Sequence, residues 1–115
     1  MAGETRILSV SISPAARRSL DDIWEWNAST YGDEHANRYI AYLLDETAKL
    51  ATDYFQGKPV PELPMVNYII IRKRRSGHGH LAVYELIGNV IHVLQYYHTA
   101  QDWQTRLAKE IADGR

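Results

Sequence analysis

Arg72-Lys73-Arg74-Arg75 closes an apolar run from Met65 to Ile71 and is followed at once by Ser76-Gly77-His78-Gly79-His80. Four of the 13 Lys and Arg residues therefore stand in one tetrapeptide of a chain whose net charge is only -1. A strand that leaves a core and delivers this much charge to one loop makes a local positive field on a nearly neutral body. Such a field suits an anion: RNA phosphate, DNA phosphate or an acidic protein surface. The same density would also serve to guard a strand edge against stray pairing. His78 and His80 flank Gly79, but two histidines two residues apart with no visible third ligand fall short of a metal site, and no cofactor is expected. The remaining groups able to move a proton are His98, Glu62, Glu85, Tyr96 and Tyr97. Nothing in the sequence places Glu25 beside Glu85 as a carboxylate pair.

At 115 residues the chain can bury one core, so a single domain over residues 1–115 is expected. A hydrophobic fraction of 45% with 23% charged residues marks a folded domain rather than a disordered one. The absence of cysteine removes disulfides and thiol catalysis and fits a reducing compartment. No apolar run approaches the roughly 20 residues that cross a bilayer. Met1-Ala2-Gly3-Glu4 does not open like a secretory leader, so a cytoplasmic location is expected. Eight Tyr and three Trp against one Phe favour rings that keep one polar end wet, as at interfaces.

The elements that must position these groups read as follows. Thr5 to Ile12 alternates, with Leu8, Val10 and Ile12 on one face, as a half-buried strand does. Ser13-Pro14 reads as cap plus first helical residue. Ala16, Leu20, Ile23, Trp24 and Asn27 then form one helical stripe, and Gly32 ends that helix. Asp33 caps a second helix carrying Ala36, Ile40, Leu43, Leu44, Thr47, Leu50 and Ala51, which makes an antiparallel helical hairpin. Three prolines and a glycine make Gln56–Pro64 an extended loop. Strands follow at Met65–Arg74, His80–Ile87 and Val90–Thr99, the last two joined by a tight turn at Gly88-Asn89. A short helix from Trp103 to Ile111 finishes the chain.

The order is β-α-α-β-β-β-α, an α+β domain in which an antiparallel sheet packs against a helical hairpin. Ile69-Ile70-Ile71, Leu81-Ala82-Val83 and Ile91 to Tyr97 are apolar on both sheet faces. Two helices cover one face, so the last helix, a partner, or both must cover the other. The expectation is both. Trp26, Tyr39 and Tyr42 fall off the helical stripes and are candidate interface residues, whereas Trp24 and Tyr84 read as core and His92 as surface.

Several strings in this order resemble the RelE/ParE toxin superfamily of bacterial type II toxin–antitoxin pairs. They are Ile12-Ser13-Pro14-Ala15-Ala16 with Leu20-Asp21-Asp22-Ile23, then Tyr31-Gly32 before Ala36. Leu81-Ala82-Val83-Tyr84-Glu85-Leu86 with Val90-Ile91-His92-Val93-Leu94 resembles the family's central hairpin. Tyr97-His98-Thr99-Ala100-Gln101-Asp102-Trp103 is similar to the tail of the ParE branch. The resemblance implies a cognate antitoxin as partner in a hetero-oligomer. It would cover the hairpin at Trp26, Tyr39 and Tyr42 and the second sheet face at Leu81, Val83 and Tyr96. It also implies one of two targets. ParE-like members inhibit DNA gyrase, and RelE- or YoeB-like members cut mRNA on the ribosome.

Metal-free RNA cleavage needs a base for the 2′-hydroxyl, a cation for the phosphorane and an acid for the leaving oxygen. By resemblance, His98 and Glu62 stand near the catalytic His and Glu of the ribonuclease branch, but Leu81 stands where those enzymes carry an arginine. Arg72 and Arg74 would have to supply the missing cation from a neighbouring strand. The gyrase reading asks only for a basic protruding surface, made by Arg72, Lys73, Arg74, Arg75, His78, His80 and His98. It is ranked first, with the ribonuclease second and a toxin-fold protein that only binds its partner third.

Overall fold

In the computed structural model, which describes residues 8–53, 56–73 and 78–114, a short strand β1 (Ser9–Ile12) leads into helix α1 (Pro14–Tyr31). The Ser13 Oγ accepts the Ala16 N–H at 3.0 Å and donates to the Leu94 carbonyl at 3.0 Å. One hydroxyl thus satisfies an orphan helix donor and ties the helix start to the sheet. Helix α1 ends at Gly32, whose φ of 97° lies in the left-handed region that a side chain disfavours. Helix α2 (Asp33–Ala48) begins at the next residue. Asp33, expected as its cap, is instead its first helical residue, where with Glu34 it complements the positive helix end.

The sheet holds β1, β2 (Lys58–Val60), β3 (Leu63–Ile71), β4 (His80–Ile87) and β5 (Val90–His98) in the spatial order β1-β5-β4-β3-β2. Helix α3 (Trp103–Gly114) closes the chain. The α+β order stands as expected, with two differences in the sheet. First, β1 lies parallel to β5, so the sheet is mixed. Second, part of the proline-rich segment is not a loop: Lys58–Val60 folds back on β3 as an antiparallel edge strand. Pro59 is tolerated because an edge strand can leave one N–H unmade. The turn passes through Glu62 at φ 67°, a left-handed conformation for a residue with a Cβ.

Two cores lie on opposite faces of this sheet. On one, Leu20, Leu43 and Leu50 pack against Ile69, Ile71, Tyr84, Ile91 and Val93. On the other, Leu107 of α3, flanked by Trp103 and Ile111, packs against Val60, Val66, Leu81, Val83 and Tyr97. The second face is therefore covered by the chain itself, and its apolar composition does not call for a partner. Leu81 (1% exposed), Val83 (0%) and Tyr96 (3%) are core residues, which corrects their assignment to an antitoxin-binding surface. Leu44, placed on the apolar stripe of α2, is exposed. Trp24 is half-buried and donates its Nε1–H to Asn37 Oδ1 at 2.8 Å. Among the described residues no helix is long and apolar enough to cross a membrane.

Candidate functional site

The site is built by the β4–β5 hairpin. Gly88, at φ 61°, allows a two-residue turn that sets Ile87 opposite Val90. A one-residue irregularity at Val83/Tyr84 then shifts the ladder and brings His80 opposite His98. Their rings meet edge to face at 5.1 Å between centres, and the His78 ring lies 5.7 Å from that of His98. From α2, the Tyr39 hydroxyl reaches His80 Nδ1 at 2.6 Å. These groups face a cleft of about 1080 Å³ between the sheet end and the helical hairpin. Asp22 and Trp26 of α1, Tyr31, His35 of α2, and Arg72, Lys73 and Arg106 complete its walls.

Two of the imidazoles, those of His80 and His98, are disfavoured as cations. Burial, reinforced by the neighbouring His98, pushes the His80 pKa down to about 4. Burial, then Tyr42, raises that of Tyr39 to about 12, so its phenol keeps its proton in the bond it shares with His80 Nδ1. His98 Nδ1 accepts the Ala100 N–H at 3.0 Å, which fixes the proton of the neutral ring on Nε2. Burial and then His78 lower the His98 pKa in the same direction. Both rings are thus disfavoured as cations, and His98 presents an N–H at Nε2.

A stability prediction follows from His80. Its folded pKa of about 4 lies below the unfolded value of 6.5, so between these values the unfolded chain holds more protons. The contribution is complete above pH 6.5 and is lost as the pH falls toward 4. Burial is the larger cause of this resistance to charging, and the neighbouring His98 adds to it. Urea unfolding at pH 7 and pH 4.5 should differ by about 2 kcal/mol more in the wild type than in His80→Gln. Equal differences would show that His80 protonates freely in the fold.

Of the residues singled out in the sequence, Arg72, Lys73, His78, His80 and His98 line the cleft together with Trp26, Tyr39 and Tyr96. Tyr42 lies beside it and carries the Lys73 ammonium 5.3 Å from its ring centre. Arg74 and Arg75 fall outside the described residues. Of the proton-transfer candidates, His98, Tyr96 and Tyr97 line the cleft and the two carboxylates do not join them. Glu62 is exposed on the β2–β3 turn, and Glu85 lies in β4 opposite His92, toward the hairpin turn. Neither lines the cleft. The Tyr96 hydroxyl is bonded to Thr47 Oγ1 at 2.8 Å inside the core. The Tyr97 hydroxyl donates to Glu110, and burial with that bond holds its pKa far above the usual tyrosine range.

Tyr31, His35, Gln101 and Arg106 belong to the cleft and were not identified from the sequence. The Trp26 and Tyr31 rings meet at 5.9 Å, and those of Tyr31 and His35 at 4.6 Å. Trp26 and Tyr31 are each 61% exposed, so this aromatic row is open to a visitor. The Gly32 break between the helices interrupts any period that would have revealed it.

Residues 10–103 match the model of a family described as the ParE toxin of the type II toxin–antitoxin system, parDE. Among solved structures, the chain is similar to one titled "Chromosomal ParDE TA system from P. aeruginosa", with a TM-score of 0.67 at 20% identity. That match covers 80% of this chain and 96% of the other, and at such identity it speaks for the fold. No curated protein matches.

Proposed function

The chain belongs to the ParE toxin family of type II toxin–antitoxin systems, and on that footing we propose that it inhibits DNA gyrase in the cytoplasm. A cognate antitoxin would hold it inactive in a hetero-oligomer. The observation that carries the choice of target is the placement of the residues expected to cut RNA. RNA cleavage requires a free basic nitrogen or carboxylate at the reacting centre. Here the Nδ1 of His98 is occupied by the Ala100 N–H, and Glu62, the carboxylate expected beside it, does not line the cleft. Leu81, at the position where the ribonuclease branch carries its arginine, is buried. What remains is a binding surface with a cationic rim at Arg72 and Lys73. A protein that works by occupying its target needs nothing more.

With purified chain, gyrase, relaxed plasmid and ATP, supercoiling should fall in proportion to the chain added, or cleaved DNA should accumulate. The matching assay is a translating extract, in which mRNA should stay intact at the ribosomal A site. Cleavage there with gyrase untouched would overturn the proposal in favour of the ribonuclease. Inertness in both assays would leave a protein that only binds its partner.

A further inference from the structure

We infer that Gln95 and Gln101 are edge guards. Their side chains occupy the places on the second half of β5 where an added strand would bond, and so keep the chain from pairing through that edge with a second copy of itself. The inference does not depend on which target the protein has.

The edge arises from the way the fold begins. β1 accompanies β5 only from Val90 to Val93, and at Ser13 the chain turns away into α1. Among the described residues no strand lies beside β5 beyond Val93 on that side. Its outward backbone groups are met by side chains instead. The Leu94 carbonyl accepts the Ser13 hydroxyl at 3.0 Å, and the Tyr96 N–H donates to Gln95 Oε1 at 3.1 Å. The His98 N–H donates to Gln101 Oε1 at 2.8 Å.

At His98 the imitation of a strand is complete. Gln101 accepts the His98 N–H on its side chain and donates its own N–H to the His98 carbonyl at 3.0 Å. These are the two bonds that facing residues of an antiparallel ladder exchange. The Gln95 amide is held from both layers: its Oε1 also accepts the Ser19 hydroxyl of α1, and its Nε2 donates to Glu110 of α3 at 3.4 Å.

The hazard at this edge is self-pairing. Laid antiparallel across a two-fold axis at Tyr96, two copies would set Tyr96 opposite Tyr96 and His98 opposite Leu94. The His98 N–H then meets a Leu94 carbonyl, and the N–H and carbonyl of Tyr96 meet their own counterparts, so the edge is self-complementary. Edges are commonly protected by lysine or proline, and neither occurs between Leu94 and Thr99. Two glutamine amides take that part here.

The test compares the wild type with Gln95→Ala/Gln101→Ala by sedimentation velocity over a range of concentrations, with circular dichroism to confirm the fold. The wild type should stay monomeric where the double variant dimerises. In dilute solution the Tyr96 and His98 amides should exchange about tenfold faster in the variant, and slow again as the dimer forms. Gln101→Glu keeps an acceptor for the His98 N–H and should remain monomeric. Should the double variant fail to fold, Gln101→Ala carries the same test alone, because its side chain lies in the turn after β5. A folded variant that stays monomeric at every concentration would overturn the inference and leave the glutamines as supports of the fold only. A dimer in which the Tyr96 and His98 amides stay fast would be joined elsewhere, and would overturn it as well. So would a wild type that dimerises with those amides further slowed.

Discussion

Replacing Tyr84 by alanine should lower the free energy of unfolding by about 4 kcal/mol, the range found for emptying a buried aromatic site. Tyr84 stands on β4, the middle strand of the sheet, and is fully buried in the core shared with both long helices. Its ring is also a buttress for the chain. A Cβ on Gly57 would come within 1.9 Å of the Tyr84 hydroxyl and 2.8 Å of its Cζ. Only glycine lets the backbone approach that closely, and the Gly57 N–H uses the approach to donate to the phenol oxygen. Burial pushes the phenol pKa up to about 12, so it stays protonated at any ordinary pH. Alanine at position 84 would remove the ring and also strand the Gly57 N–H. Tyr84→Phe separates the two effects and should cost only about 1 kcal/mol, for the lost hydrogen bond. Gly57→Ala should cost about 2 kcal/mol from the other side, by displacing the phenol. Denaturant melts of the three variants check the order. A Tyr84→Ala midpoint corresponding to less than 1 kcal/mol would mean that the strand repacks without its central ring.

The parts of this architecture that were legible beforehand are those written in adjacent residues. Ser13-Pro14 marks a helix start because a hydroxyl and a ring nitrogen solve the terminus locally, and Gly88-Asn89 marks a turn because only certain backbones can make it. The parallel pairing of β1 with β5 joins residues about eighty positions apart, and no local signal encodes it. The prolines around Lys58–Val60 argued for a loop, and pairing at an edge overrode them because an edge strand needs only half its hydrogen bonds. The site was hidden by one residue. Carried unbroken from the Gly88-Asn89 turn, the β4–β5 register would set Tyr97 opposite His80. The irregularity at Val83/Tyr84 slides His98 into that place and completes the histidine cluster. A slip of this kind follows from side-chain packing along the whole ladder, and it leaves no mark in composition or spacing.

The covering of the second sheet face was legible in part, since Trp103, Leu107 and Ile111 recur every four residues along one side of a helix. What the spacing could not say is that this stripe suffices. Leu107 is the buried residue of α3, and Trp103 packs on the rings of Tyr68 at 4.7 Å and Tyr97 at 6.4 Å. Leu107→Ala should therefore cost about 3 kcal/mol. Leu107→Asp should cost more, because a carboxylate there has no partner among Val60, Val66, Leu81 and Val83. The helix, rather than the sheet, should give way: β3, β4 and β5 are held by their own ladder and by the core on the opposite face. In Leu107→Asp, amide exchange should become fast from Trp103 to Gly114 and stay slow in β4, and a hydrophobic dye should bind the bared face. Protection retained throughout α3, with stability within 1 kcal/mol of the wild type, would show that something other than Leu107 anchors the helix. The outcome bears on function as well as on folding. If the exposed Val83 face then draws the chain into dimers, the last helix is what keeps that face from associating with a second copy.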